Sequence, residues 1–440
     1  MATETPTTSH LTPTSISPTP LPSTPFTPHD ANLFPKWPTH LSPTAVETWL
    51  FDGMASDGSA AFTASFFRDG SQAPNPYRVA INALWADGTA WSQHLVTPES
   101  VVEVHEGGRV TGVWRTTDES TPGITASFDV AGDLSTATVT FNAPGRITGT
   151  LTQRSRGYTT LPATAREAEV APGAYWMRPI AVADIDADLT LFINDPAFPP
   201  PPPTKPGQPP SHPPVPTIPK QLLLTSSPST TDSPTDETNT TETKGQGKNG
   251  TFGGLDRSWL PLVWTSESTD ALFIRARAGP YDLTLMRLVA KAHKYYQPTV
   301  SAALYREGRL ISRALHALPA DRRDDATSAD AVRTERVYGG GGLRGGFRNG
   351  NGGVVVDFRG SGKAREVEKE GEEEDKEGEK GRWVFELRHE VAWWAKPTSR
   401  PGPGGTGNLG WVVAVKGGRV GGEEEEVEGW GMTGEVELQD

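Results

Sequence analysis

Three side chains in this 440-residue chain sit where a polar group is unexpected. Glu47 shares a period-2 face with Trp49 and Phe51 in ETWLFDGM, Asn82 is set between Ile81 and Ala83 in YRVAINALW, and Lys416 closes the apolar run Trp411–Val415. A polar group turned into an apolar interior needs a partner, and a ligand can supply one. A carboxylate and an amide can orient a polar substrate, and an ammonium at a strand end can donate to a carbonyl oxygen. The residues alone leave the bland alternative open: Glu47 and Asn82 on the solvent face of a half-exposed sheet, and Lys416 on the surface. Trp density is a further signal, since 13 tryptophans suit either ordinary cores or the walls of a large apolar small-molecule site.

The elements that would carry these residues read as β throughout. Asp57-Gly58, Asp69-Gly70 and Asp87-Gly88 separate short runs rich in aromatic and β-branched residues, the pattern of an antiparallel meander with tight turns. SVVEVHE, RVTGVWRT, ITASFDV, TATVTFN and RITGTLTQ continue the rhythm, which is that of a sandwich or barrel rather than of βαβ units. The expected fold is all-β, with an N-terminal β-sandwich over residues 41–197 and a second β block over 251–440. Residues 1–40, dense in Pro, Ser and Thr, are expected to be a disordered tail. Residues 198–250, with five consecutive prolines, are expected to be a linker. Residues 320–381 are expected to be a Gly-rich and acidic insertion, and Glu307-Gly308 a turn.

Composition removes several function classes. The formal charge is −13, but Glu366–Lys380 carries −6 and Glu423–Glu428 another −5. The remainder is near neutral, which argues against nucleic acid as a partner. There are no cysteines, so thiolate metal sites and Cys nucleophiles are excluded, and the nine histidines have no metal-ligand spacing. No cofactor and no metal are therefore expected. Gly340, Gly342 and Gly345 match GxGxxG but lie in low-complexity sequence with no strand before or helix after. Walker A, HExxH and GxSxG sequences do not occur. No apolar run is long enough to span a bilayer and the N-terminus has no apolar leader, so a cytoplasmic location is expected.

Taken together, ETWLFDGMASDG (47–58), YRVAINALWADG (77–88), the Asp256-Arg257-x-Trp259 to Trp264 segment, Gly279-Pro280-Tyr281 and the ending GWVVAVKGG with GWGMTGEVE resemble the fungal lipocalin-like Diels–Alderases. That group belongs with the carotenoid 1,2-hydratase-like two-domain proteins. The resemblance implies a C-terminal lipocalin-like barrel and a cofactor-free site between the domains, where an apolar polyene undergoes a [4+2] cycloaddition. It further implies Glu47 and Asn82 as polar site residues, Lys416 as donor to a substrate carbonyl, Trp259 or Trp264 as a site wall and Tyr175 as an aromatic at the domain junction; Trp49, Phe66, Tyr281 and Trp411 are further candidate substrate-binding residues. Where some relatives carry a Tyr in the second strand, this chain has Phe66, which removes a hydrogen bond there. Transient contact with other biosynthetic enzymes is a further expectation. A cycloaddition needs a folded substrate conformer and, optionally, one hydrogen bond to its acceptor, so the lack of familiar catalytic motifs fits. Two other readings stay open: a hydratase or isomerase using Glu47 or Asp256 as an acid with a raised pKa, and a non-catalytic lipocalin-like carrier.

Overall fold

Alternating side chains and frequent turns give two antiparallel sheets, of 14 and nine strands. The computed structural model describes residues 7–116, 123–157, 161–198, 215–226, 250–262, 266, 268–291, 298–315, 317, 330–338, 351–362, 380–397, 406–421 and 425–437. Helix is scarce among these; Ala165–Ala168 forms a four-residue α-helix.

In the first sheet the hydrogen-bonded order is Thr7–Leu11, Glu99–Val104, Val110–Arg115, Thr125–Val130, Thr136–Ala143, Ile147–Ser155, Ala174–Asn194, Thr251–Leu260, Val46–Ala55, Ala61–Asp69, Tyr77–Leu84 and Ala90–Thr97. The sheet folds over on itself as a sandwich. Trp49 meets Trp114 edge-on at 5.8 Å and Phe66 meets Phe128 at 5.2 Å, so aromatic rings from the two layers interlock in one core. In the second sheet the order is Arg309–Ala314, Pro298–Arg306, Tyr281–Ala290, Ser268–Ala278, Val427–Glu437, Gly407–Arg419, Lys380–Pro397, Gly353–Ser361 and Ala331–Val337. A bridge from Ala317 to Val332 brings its two ends together. The enclosed core holds Leu283, Leu285, Val356, Phe358, Phe385 and Val413.

Two of the three Asp-Gly pairs make tight turns: Gly58 and Gly88 have φ of 72° and 79°, and Asp57 and Asp87 each accept the backbone N–H two residues on. Asp69-Gly70 does not. Gly70 is required there because a Cβ would lie 2.1 Å from the Ser42 carbonyl, and Asp69 instead caps the short turn after it. Glu307-Gly308 is a turn, with φ of 49° and 89°.

Four expectations about organisation need correction. The N-terminal segment is ordered from Thr7: Thr7–Leu11 pairs with Glu99–Val104, and Leu33, Trp37 and Leu41 are buried in the first core. Its apolar residues are few, but Leu11, Leu33 and Trp37 enter the core and Leu21 and Phe26 pack against it, and its many prolines lower the entropy lost on ordering. Within the expected linker, Thr217–Leu224 adds to the Ala174–Asn194 strand, with Pro219 tolerated at a sheet edge; 199–214 and 227–249 lie outside the described residues. Within the expected insertion, Ala331–Val337 and Gly353–Ser361 are barrel strands. Thr251–Leu260, expected to open the second domain, is instead an inner strand of the first sheet, between Ala174–Asn194 and Val46–Ala55.

Candidate functional site

Period-2 alternation gives the Val46–Ala55, Ala61–Asp69 and Tyr77–Leu84 strands two unlike faces. One carries Trp49, Phe51, Phe66, Val79 and Ile81 into the first core. The other is turned toward the barrel. Strand register sets this second face out as rows: Asp52, Thr63, Asn82 and Ser92 in one, Leu50, Ser65, Ala80 and His94 in the next, Thr48, Phe67, Arg78 and Val96 in the third. Along the first row burial falls from complete at Asp52, through partial at Asn82, to exposed at Ser92, so the space between sheets opens toward the Ala90–Thr97 edge. Asn82 is held in place there: its Nδ2 donates to Thr63 Oγ1 at 2.9 Å and its Oδ1 accepts from Ser92 Oγ at 2.6 Å. One Nδ2 proton is left over for another acceptor.

The opposing barrel wall is aromatic. Phe67 and Trp176 from the first sheet and Phe273 from the barrel pack on one shared apolar cluster that includes Val46, Leu260 and Met286. Trp394 lies flat across Gly410 and Gly434; a Cβ on Gly410 would sit 1.8 Å from its Nε1, so the glycine makes the ring's position available. Two residues on, Lys396 shares this face at the open edge. It is exposed, yet desolvation at the sheet boundary and the neighbouring Arg78 guanidinium lower its pKa, with Asp69 opposing. His94 is lowered as well, by desolvation and by Arg78 and Lys396.

A charged cluster closes the inner end. Arg275, from the barrel, donates through Nε to Asp52 at 3.0 Å and through Nη2 to Asp256, while Nη1 reaches the Ala181 carbonyl. Gly254 leaves room for it, since any Cβ would strike the Arg275 guanidinium. Trp176 Nε1 donates to Asp256 Oδ2 at 2.7 Å. Burial pushes the Asp52 carboxyl up to about 7, against the pull of Arg275 and with a push from Asp256.

The sequence-selected residues do not converge. Of those among the described residues, only Asn82 lies on the face between the sheets. Glu47 is on the opposite face, fully buried, its Oε2 accepting from Lys36 N at 2.8 Å and Arg257 Nη2 at 2.5 Å, with Arg68 4.0 Å from Oε1. Trp49 and Phe66 are in the first core. Trp259 stacks on Tyr175 at 4.8 Å, and Tyr175 on Phe26 at 6.3 Å. Tyr281 and Trp411 point into the barrel, Tyr281 against Phe385 and Trp411 stacked on His389. Lys416 is exposed and ion-paired with Glu426 at 3.0 Å and Glu428 at 3.7 Å, whereas Trp411, Val413 and Val415, of the other parity in its strand, point into the barrel core. Trp264 lies outside the described residues. Asp52, Thr63, Phe67, Trp176, Arg275, Trp394 and Lys396 were missed. The usable signal was parity: Asp52 alternates out of phase with Trp49 and Phe51, and so belongs to the face shared with Asn82.

Comparison with known proteins identifies the relatives of the whole chain. The sequence matches the Diels-Alderase-like family over residues 3–439. It is 55% identical over 433 residues to the Diels-Alderase cghA of Chaetomium globosum, covering 97% of this chain and 76% of that one. It is 32% identical over 432 residues to the Diels-Alderase fsa2 of a Fusarium species, covering 95% and 94%. The fold superimposes on the crystal structure of CghA with Sch210972 at a TM-score of 0.81, with 53% identity and 99% of each chain covered. With its two-sheet architecture and full-length similarity, the chain belongs to the Diels-Alderase-like family.

Proposed function

We propose that the chain catalyses an intramolecular [4+2] cycloaddition of a polyene, as a Diels–Alderase-type cyclase of fungal secondary metabolism, and that the reaction takes place between the two sheets. The observation that carries the location is the Asp52 to Ser92 row: one polar stripe, graded from buried to exposed, facing an aromatic wall. A cycloaddition conserves every atom and electron of its substrate. What a protein can add is restriction of a flexible polyene to one reactive conformer, worth several kcal/mol of the barrier, and a donor at the activating carbonyl, worth roughly 3 kcal/mol. Phe67, Phe273 and Trp394 suit the first task. The spare Asn82 N–H and the Lys396 ammonium suit the second, in place of Lys416, whose charge is taken up by two glutamates.

The test is incubation of a linear polyene carrying a diene and a carbonyl-activated alkene with purified protein, and analysis of the product stereoisomers. One isomer should dominate with wild type, and Asn82→Ala should erode that preference. An isomer ratio equal to that in buffer would remove the cyclase reading; a product heavier by one water would favour a hydratase using Asp52 as its acid.

A further inference from the structure

Away from the open edge, the Ala174–Asn194 strand meets the barrel strands Tyr281–Ala290 and Pro298–Arg306 around a separate small cavity. Trp176, Arg178, Thr284, Ser301, Tyr305 and Arg313 supply its polar lining. Its free space is about 30 Å³; a single water needs roughly 10–15 Å³ on the same measure, so a group of two or three non-hydrogen atoms fits and a polyene does not.

Two of the residues around this space, Arg178 and Thr284, keep donors unspent. Arg178 uses Nη1 on the Ser301 carbonyl at 3.2 Å and, at 3.5 Å, the Ser301 hydroxyl. Its Nε and Nη2 are buried and have no hydrogen-bond partner among the described residues. Those two nitrogens form one edge of the guanidinium fork, the edge that receives a carboxylate side-on through two parallel bonds. The Thr284 hydroxyl is wholly buried and likewise has no partner among the described residues. Asp256 and Asp52 act on Arg178 through space, but both carboxylates hydrogen-bond Arg275, and Arg313 is paired with Glu167 at 3.1 Å. A desolvated guanidinium without a direct anionic partner is costly, and an incoming anion would relieve that cost.

We propose that this cavity is a carboxylate subsite, in which the Nε–Nη2 edge of Arg178 clamps the anion and Thr284 donates a third bond. Resting on the cyclase reading above, the carboxylate is an acidic head group of the substrate, whose apolar chain then runs past Trp176 and Phe273 into the space between the sheets. The first experiment needs no turnover: titration of ¹³C-labelled acetate followed by NMR line broadening. Saturable binding to wild type is expected, weakened at least about tenfold in Arg178→Met and several-fold in Thr284→Val, the second variant being near-isosteric and safe for folding. Non-saturable broadening, or equal binding in wild type and the variants that fold, would overturn the subsite. The second experiment adds a linear polyene carboxylic acid or its methyl ester to acetate-loaded protein. Displacement by the acid and not the ester supports the head-group assignment, whereas displacement by neither means the anion is a separate small carboxylate and overturns that assignment. Acetate binding itself stands or falls independently of whether a cycloaddition is catalysed.

Discussion

Glu47 and Asp52 lie five positions apart on one strand, both fully buried and both held by arginine, yet they solve opposite problems. Glu47 faces the first core, where it is the one carboxylate in direct contact with Arg257 and Arg68 and near the Lys36 ammonium. Asp52 faces the barrel, where it and Asp256 share one directly bonded cation, Arg275. One cluster has surplus positive charge and the other surplus negative charge. Each sheds the excess through its most easily discharged member: burial and Arg257 push Lys36 down to about 7, and burial with Asp256 pushes Asp52 up to about 7. The same pressure for local neutrality thus lowers a base on one face of a sheet and raises an acid on the other. The first cluster straps the N-terminal segment to the sheet, since Lys36 also donates to Asn32 at 2.7 Å and Arg257 to backbone carbonyls of Asn32 and Phe34. The second joins the sheet to the barrel.

The largest effect that would break this contrast is expected from removing each hub. Glu47→Gln strands two arginines that cannot deprotonate, and should cost about 3–5 kcal/mol in urea unfolding. Arg275→Met strands two carboxylates, at about 3 kcal/mol near pH 7.5. The acids can take up protons and the arginines cannot release them, so lowering the pH to 5 should restore most of the stability of Arg275→Met and none of that lost in Glu47→Gln. Equal recovery of both variants would refute the opposite-surplus account.

A smaller contrast concerns two lysines of the barrel. Lys396→Met should lower kcat/KM by about 10- to 100-fold, as expected for a lost donor, while Lys416→Met should stay within about twofold because only exposed ion pairs are removed. Reversal of that ranking in steady-state assays would return the donor role to Lys416.

The smallest effect is the pH dependence of the intact protein. Between pH 3.8 and about 7 the native state holds the Asp52 proton more tightly than the unfolded chain, so this group makes stability fall as pH rises through that window. Between about 7 and 10.5 the unfolded chain holds the Lys36 proton more tightly, so stability rises with pH. Asp52→Asn should flatten the first slope and Lys36→Met the second, each by about a few degrees in Tm. A variant that flattens the other slope would show that the wrong group has been identified.

Much of the fold is written locally. The Asp-Gly turns and the alternating runs are short-range signals, and Gly58, Gly88 and Gly308 do adopt the left-handed backbone those turns demand. Which face of a strand meets which body is not local. Glu47 looks like a pocket residue because Trp49 and Phe51 accompany it, but its partner Arg257 lies 210 positions away. Lys416 follows an apolar run in which only alternate residues point into the barrel, and nothing nearby says which parity does so. The ordering of the N-terminal segment was hidden for a similar reason, because its few apolar residues count only once a core exists to receive them. Arg275 and Asp52 are 223 positions apart, and their meeting depends on how two completed sheets pack.

The position of Thr251–Leu260 inside the first sheet has a consequence for biogenesis. While the chain leaves the ribosome, Val46–Ala55 and Ala174–Asn194 each present an unpaired edge along the register that this strand later fills. The first layer can zip up only after residue 260 has cleared the exit tunnel. A nascent chain stalled at 250 exposes two adhesive edges, so a split into two separately expressed fragments belongs after Leu260, where each half carries its own complete sheet.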